Sequence, residues 1–212
     1  MALIEKGPMG GDCLNSGCVP SKALIACAGA AHAVGRAAAF GVKAAGPEID
    51  GAAVHAHIRR TIEAIEANDS VERFRGLGVQ VIEAEGRFSG PGEVRAGDTT
   101  VRARRFVIAT GSGPFVPPVP GLDGVPYLTN ETVFDLSEIP GHLIVIGGGP
   151  IGIEMAQAYR RLGGRVTVLE MFSILAKDDP ELADVIRRRL TAEGIDIKEG
   201  VKVVGASGSG SG

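Results

Sequence analysis

The 212-residue sequence has no tryptophan, and aromatic residues make up only 4% of it. A β-sandwich cored by large rings is therefore disfavoured. Three cysteines are too few for a secreted disulfide framework. The net charge of −3 leaves no basic footprint for nucleic acid or for an anionic membrane. No uninterrupted apolar run reads as long enough to span a bilayer. Glu5 breaks the first apolar stretch too early for a secretory leader. The expectation is a cytoplasmic protein with neither nucleic-acid nor membrane partners. In that setting a close cysteine pair points to redox or metal chemistry rather than to a structural cross-link. What is present is glycine, 32 residues of it, in a chain that is 44% apolar. Such a composition suits an α/β protein with many tight strand-to-helix turns.

The pattern along the chain agrees. "ALIE" reads as a strand with Glu5 at its carboxyl end, and "VPSKALIACAGAAHAVGRAAAF" as a helix with Pro20 in its first turn. "GAAVHAHIRRTIEAIEANDSVERF" reads as one long amphipathic helix with Val54, Ile58, Ile62 and Ile65 on one face. "VQVIEAEGRF", "GEVRAG", "TTVRAR" and "RFVIATG" read as four short strands punctuated by glycine. The proline- and glycine-rich "GSGPFVPPVPGLDGVP" reads as a connector leading towards a domain boundary. Strand, glycine turn, helix, strand and helix then follow from residue 142, with Asp179 capping the last helix before Pro180. "IDIKEGVKVV" reads as one or two further strands, and residues 205–212 as a flexible Gly/Ser tail. Alternating strands and helices imply a parallel sheet.

Gly147, Gly149 and Gly152 fit G-x-G-x-x-G. The motif follows the strand "LIVI", opens a helix, and leads to a second strand ending in Glu170, eighteen residues past Gly152. That context is what a dinucleotide site requires. One glycine makes the turn, one lets a pyrophosphate approach backbone N–H groups at a helix N-terminus, and one lets helix and strand pack closely. Glu170 would accept hydrogen bonds from ribose hydroxyls and repel a 2′-phosphate, so NAD is favoured and NADP is the alternative.

Cys13 and Cys18 lie five residues apart in "GGDCLNSGC". A regular helix would separate them by roughly 7.5 Å of rise, whereas bridged Cα atoms lie within about 6.8 Å. A disulfide therefore needs an irregular stretch between them, and Asn15 and Gly17 make one plausible. Lys22 on the next turn and the nearby helix N-terminus should both favour a thiolate. A redox pair, a zinc site and two unreactive thiols remain open on spacing alone. The four histidines show no spacing that completes a zinc site, and no metal ligands are assigned. Cys27 reads as core packing.

With "GGDCLNSGCVPSKAL", "RFVIATGS" and "HLIVIGGGPIGIEMA" in this order, the sequence resembles the pyridine nucleotide–disulfide oxidoreductases, a flavoprotein family. The resemblance implies two Rossmann-like dinucleotide-binding domains, one for FAD and one for NAD(P). It places residues 1–139 in the FAD domain and 140–204 in the first part of the NAD(P) domain. It also implies FAD and NAD as cofactors, with NADP as the variant, and a redox-active Cys13–Cys18 disulfide. Cys18 would face the flavin and Cys13 would meet substrate. Lys22 would lie by the flavin and pair with Glu154 across the domain junction. Glu5, Gly11, Asp12, Gly86, Ala109, Thr110 and Gly111 would line FAD. Gly147, Gly149, Gly152, Glu170 and Val203 would line NAD(P).

The cysteine stretch is closest to mercuric reductase-like and dihydrolipoamide dehydrogenase-like members. The implied function is electron transfer from NAD(P)H through FAD and the disulfide to a metal-ion or small disulfide substrate, in a homodimer. A non-catalytic dinucleotide-binding thiol sensor is the alternative from another class. The family's first strand and glycine loop, the rest of its NAD(P) domain and its His–Glu dimer domain have no counterpart in these residues. Both domains are therefore expected to be incomplete, and the chain to be a fragment that neither holds FAD well nor turns over by itself.

Overall fold

The computed structural model of the chain describes residues 1–208. Two compact units are present: Met1–Pro20 with Arg59–Gly113, and Ser21–Ile58 with the residues from Pro114 onward. One boundary between them falls inside the proline- and glycine-rich connector, and the other two fall within the helices that span residues 18–36 and 51–66.

In the first unit, β1 (Ala2–Glu5) pairs in parallel with β2 (Gln80–Glu83), Ala2 opposite Gln80 and Glu5 opposite Glu83. The short helix α1 (Gly11–Asn15) follows β1. A separate antiparallel sheet holds β3 (Gly86–Gly90), β4 (Glu93–Ala96) and β5 (Thr99–Arg102) in that order. Gly97, at φ +56°, makes the tight turn between β4 and β5. The expected run "VQVIEAEGRF" thus divides between two sheets. "RFVIATG" forms no strand at all, and Val107 and Ile108 are 92% and 72% exposed. It has the β-branched composition of a strand, but among the described residues no neighbouring strand pairs with it.

The helix α2 (Cys18–Arg36) begins after α1 and passes into the second unit, where Ala23, Leu24, Ala28 and Ala31 are buried. By length and composition the helical stretch Gly11–Phe40 is apolar enough to cross a membrane, contrary to the sequence expectation. Of its most apolar window, 22% is buried, Ala23, Ala28 and Ala31 among the buried residues. The expected helix from residue 51 to 74 is two helices, α3 (Gly51–Glu66) and α4 (Val71–Gly76). The break lies at "NDS", where the Ser70 side chain accepts from the Arg73 N–H at 3.2 Å and restarts the helix.

The second unit carries a parallel three-stranded sheet, β6 (His142–Ile146), β7 (Arg165–Leu169) and β8 (Asp196–Lys198), in that order. The helix α5 (Pro150–Arg161) joins β6 to β7, and α6 (Pro180–Ala192) joins β7 to β8. Asp179 caps α6 by accepting from Glu181 N–H at 2.9 Å. Val166 and Val168 of β7 are fully buried, together with Ala156, Ala158 and Tyr159 of α5. At the chain's end, Ala206 N–H donates to Pro120 C=O at 2.8 Å, so the expected flexible tail is tied down there. Residues 209–212 of that tail lie outside the described residues.

Candidate active site

The cysteine stretch is built by a helix that stops and restarts. α1 ends at Ser16, whose N–H donates to Asp12 C=O at 2.9 Å. Gly17 then turns the chain so tightly that a Cβ on it would stand 2.7 Å from Asp12 O and 3.3 Å from Cys13 Cα. α2 starts at the next residue. The bend brings the Cys18 sulfur into hydrogen-bond contact with Cys13, which regular helix would forbid. Both residues are exposed, and no disulfide joins them. The Cys13 thiol is held above the usual cysteine range, first by its hydrogen bond with Cys18 and then by burial. A sulfur partner beside a thiol disfavours its ionisation, which suits Cys13 as the protonated member of the pair. Cys27 is half-buried, and burial pushes its thiol up as well.

Three residues shape this turn: Asn15 and Gly17, to which the sequence pointed for an irregular stretch, and Gly10, which sequence reasoning did not single out. Asn15 donates from Nδ2 to Met9 C=O at 3.1 Å and Gly11 C=O at 2.9 Å, pinning the loop ahead of α1. Gly10 has φ +88°, and a side chain there would collide with Leu14. Gly17 is the third. The doubled glycine and the "NSG" turn were the available signals.

Other assigned residues of the first unit gather as follows. Gly111, at φ +66°, leaves only 2.9 Å between the position of a Cβ and the Asp12 carboxylate, so Asp12 and Gly111 come together. Glu5, at the end of β1, accepts from Gly7 N–H at 2.8 Å. Gly86 packs its backbone 3.1 Å from the Ile4 side chain, measured from a Cβ built on it. Gly11, Ala109 and Thr110 are exposed.

In the second unit, Lys22 Nζ stands 2.5 Å from Glu154 Oε2. The structure thus brings this pair together within one unit rather than across a junction. Both side chains are well exposed, at 59% and 43%, so the contact contributes only about 0–1 kcal/mol to stability. Its worth lies in holding an ammonium in place.

Four glycines of the loop have distinct surroundings. Gly147 has φ +108°, a turn conformation that side chains disfavour. Gly152 is pressed against Gly147 C=O, with Val145 Cγ1 3.2 Å from a Cβ built on it, so helix and strand pack closely. A Cβ on Gly149 would meet nothing within 4 Å. No protein atom fills the space beside it, and α5 begins there without a side-chain cap, which together fit a pyrophosphate. The fourth is Gly148, where a Cβ would stand 2.7 Å from Ile174 Cγ2.

Glu170 lies just past β7. Its carboxylate accepts from Gly148 N–H at 2.7 Å and from Phe172 N–H at 2.8 Å, which leaves lone pairs for ribose hydroxyls. Val203 is half-buried in a segment that forms no strand, since β8 ends at Lys198. Among the described residues, no cluster of three His, Cys, Asp or Glu could hold a metal ion.

A parallel βαβ unit whose first turn is a glycine loop at an uncapped helix start is the dinucleotide-binding form of the α/β class. The chain belongs to the pyridine nucleotide-disulphide oxidoreductase family, whose model matches residues 1–211. It is 37% identical over 203 residues to a mercuric reductase of Streptomyces lividans, covering 93% of this chain and 43% of that protein. It is also 37% identical over 210 residues to a dihydrolipoyl dehydrogenase of Thermus scotoductus, covering 95% and 44%. The fold matches that of the HOCl-induced flavoprotein disulfide reductase RclA from Escherichia coli, solved as a Cu(II) complex. That match has a TM-score of 0.79 and 28% identity, over 96% of this chain and 44% of the other. The chain thus spans less than half the length of the relatives it matches. Members of the family are FAD-dependent and use NAD(P)H.

Proposed function

We propose that this chain contributes the disulfide and nicotinamide-nucleotide parts of an FAD-dependent NAD(P)H oxidoreductase acting on a metal ion or a small disulfide, in the manner of a mercuric reductase. The observation that carries the reading is the interrupted helix at Ser16 and Gly17, which places Cys13 and Cys18 in contact and exposed. Dihydrolipoamide is the second reading, favoured by an equal 37% identity to the dihydrolipoyl dehydrogenase. The setting proposed with it is a homodimer in a reducing cytoplasm, where a dithiol is regenerated by nicotinamide.

When bound, NAD(P)H supplies a hydride and FAD relays its two electrons. The glycine loop and the start of α5 hold the pyrophosphate of the nicotinamide nucleotide, and Glu170 orients its ribose. Glu5, Gly11, Asp12 and the turn at Gly111 would hold FAD, with the exposed Gly86, Ala109 and Thr110 beside it. Glu154 holds the Lys22 ammonium as a fixed positive charge. A disulfide between Cys13 and Cys18 would open on receiving two electrons, which the bound nicotinamide and flavin would supply, and two protons, leaving the dithiol that the structure shows. Cys13, whose thiol is held above the usual range by its contact with Cys18, would be the thiol that meets substrate; both sulfurs are exposed. Passing two electrons to the substrate closes the bond again.

The test is an anaerobic NADH titration of the intact, peroxide-oxidised protein with added FAD, counting thiols with Ellman's reagent. The expected result is two new thiols per chain, both lost in Cys13→Ser and Cys18→Ser. Thiols that cycle with peroxide but ignore NADH would make the protein a sensor instead. NADH consumption with a mercury(II) thiolate against lipoamide then separates the two substrate readings.

A further inference from the structure

Gly148, at the centre of the glycine loop, has its polar groups taken by the segment after β7 rather than by the sheet. Its N–H donates to Glu170 Oε2 at 2.7 Å, and its C=O accepts from Leu175 N–H at 2.9 Å. Ile174 lies directly over its Cα. The loop therefore stands wherever residues 170–175 stand.

The Ile174 side chain is buried in the core, and polar contacts hold the backbone of the segment in addition. Leu175 adopts φ +52°, a left-handed conformation that a leucine avoids unless its surroundings impose it. A half-open pocket of about 280 Å³ is lined by residues 173–176 and by Ala183, Asp184 and Arg187 of α6. The tie is polar. Glu199 Oε1 accepts from Ile174 N–H at 2.8 Å. Arg187 holds the same carboxylate with a two-pronged contact, Nε at 2.9 Å and Nη2 at 3.0 Å. The arginine is itself anchored one turn back by Asp184 at 2.8 Å. Arg187 keeps the Glu199 carboxyl below its ordinary range, so the acceptor stays ionised at neutral pH.

We propose that Glu199, set by Arg187, is a positioning residue for dinucleotide binding: it holds Ile174, and through Ile174 the glycine loop at Gly148. The proposal rests on the dinucleotide reading of that loop. Neither residue need touch the nucleotide. The bidentate pair fixes the carboxylate, the carboxylate fixes one backbone N–H, and that backbone presents the surface on which Gly148 lies.

The test uses the full 212-residue chain, with amide hydrogen exchange and NADH titration in parallel. Glu199→Ala should speed exchange at Ile174, Leu175 and Gly148 while leaving Val145 and Val168 of the sheet protected. It should weaken NADH binding about tenfold, the lower end for loss of a supporting residue. Glu199→Gln keeps an acceptor for Ile174 and should restore protection and most of the affinity. A Glu199→Ala chain with wild-type exchange at Gly148 and Leu175 overturns the proposal. So does a chain that loses protection across the whole sheet, or one whose loop loosens with no change in NADH affinity. If the wild-type chain binds no NADH, the dinucleotide reading itself falls, while the exchange arm still decides whether Glu199 holds the loop.

Discussion

Gly17 shows how much one missing side chain decides. Any Cβ there would meet backbone atoms of Asp12 and Cys13, which have no flexible end to swing aside. Gly17→Ala should therefore cost about 1–3 kcal/mol, as overpacking commonly does. It should also move Cys18 away from Cys13, so that peroxide closes the disulfide more slowly. Thermal unfolding and a timed thiol count check both, and unchanged oxidation would remove Gly17 from the account. The two sulfurs were visible in the sequence as a spacing. The bend that joins them was legible only as a turn-forming "NSG", because spacing does not say which way a chain folds back.

Among the elements, the end of α6 shows how three helices of the second unit are tied together. Glu193, only 8% exposed, takes a two-pronged contact from Arg161 of α5 at 2.8 Å and one from Arg189 at 2.6 Å. Arg189 also donates to His32 of α2 at 2.9 Å, which requires that ring nitrogen to be unprotonated. Burial raises the Glu193 carboxyl, but Arg161 and Arg189 prevail and bring it below its ordinary range. Burial lowers His32, and Arg161 adds to the effect.

Both shifts have the same consequence. The stability from Glu193 is complete above the unfolded carboxyl value of about 4.3 and is lost as pH falls through the lower folded value. The stability from neutral His32 begins to go as pH falls through about 6.5. Glu193→Ala should cost about 3 kcal/mol at pH 7, because it leaves the largely buried Arg161 unpaired. The variant should also lose less stability than wild type between pH 5 and 3. Urea unfolding at both ends of that range decides it; equal acid sensitivity would show that Glu193 is not the titrating hub. Sequence periodicity located α2, α5 and α6, but no periodicity names a partner 32 residues away.

On the scale of the whole molecule, the chemistry turns on which nucleotide is admitted. A 2′-phosphate beside Glu170 would place like charges within a few ångströms, a penalty of about 1–3 kcal/mol at an effective dielectric near 20. NADPH should therefore bind about ten- to a hundredfold more weakly than NADH. Glu170→Gln should narrow the gap. Titration of both nucleotides measures it, and equal affinities would end the role given to Glu170. The same carboxylate also holds Gly148 N–H and Phe172 N–H, so the variant should loosen the loop as well.

The sequence by itself determined the α/β class, the glycine loop on β6 and α5, the acid after β7 and the cysteine pair. These are local signals: hydrophobic period, turn residues and short spacings report conformations that neighbours along the chain impose. Tertiary structure alone decided what met what. "RFVIATG" has strand composition yet no strand pairs with it among the described residues, since a ladder needs a neighbour that composition cannot supply. The helix expected from residue 51 to 74 broke at Ser70 because the serine side chain offered the backbone a cap that outweighed continuing the turn. The ties from Glu199 to Ile174 and from Glu154 to Lys22 span 25 and 132 residues. Contacts at that separation depend on where whole elements pack, and that information resides in the fold as a unit rather than in any window of the chain.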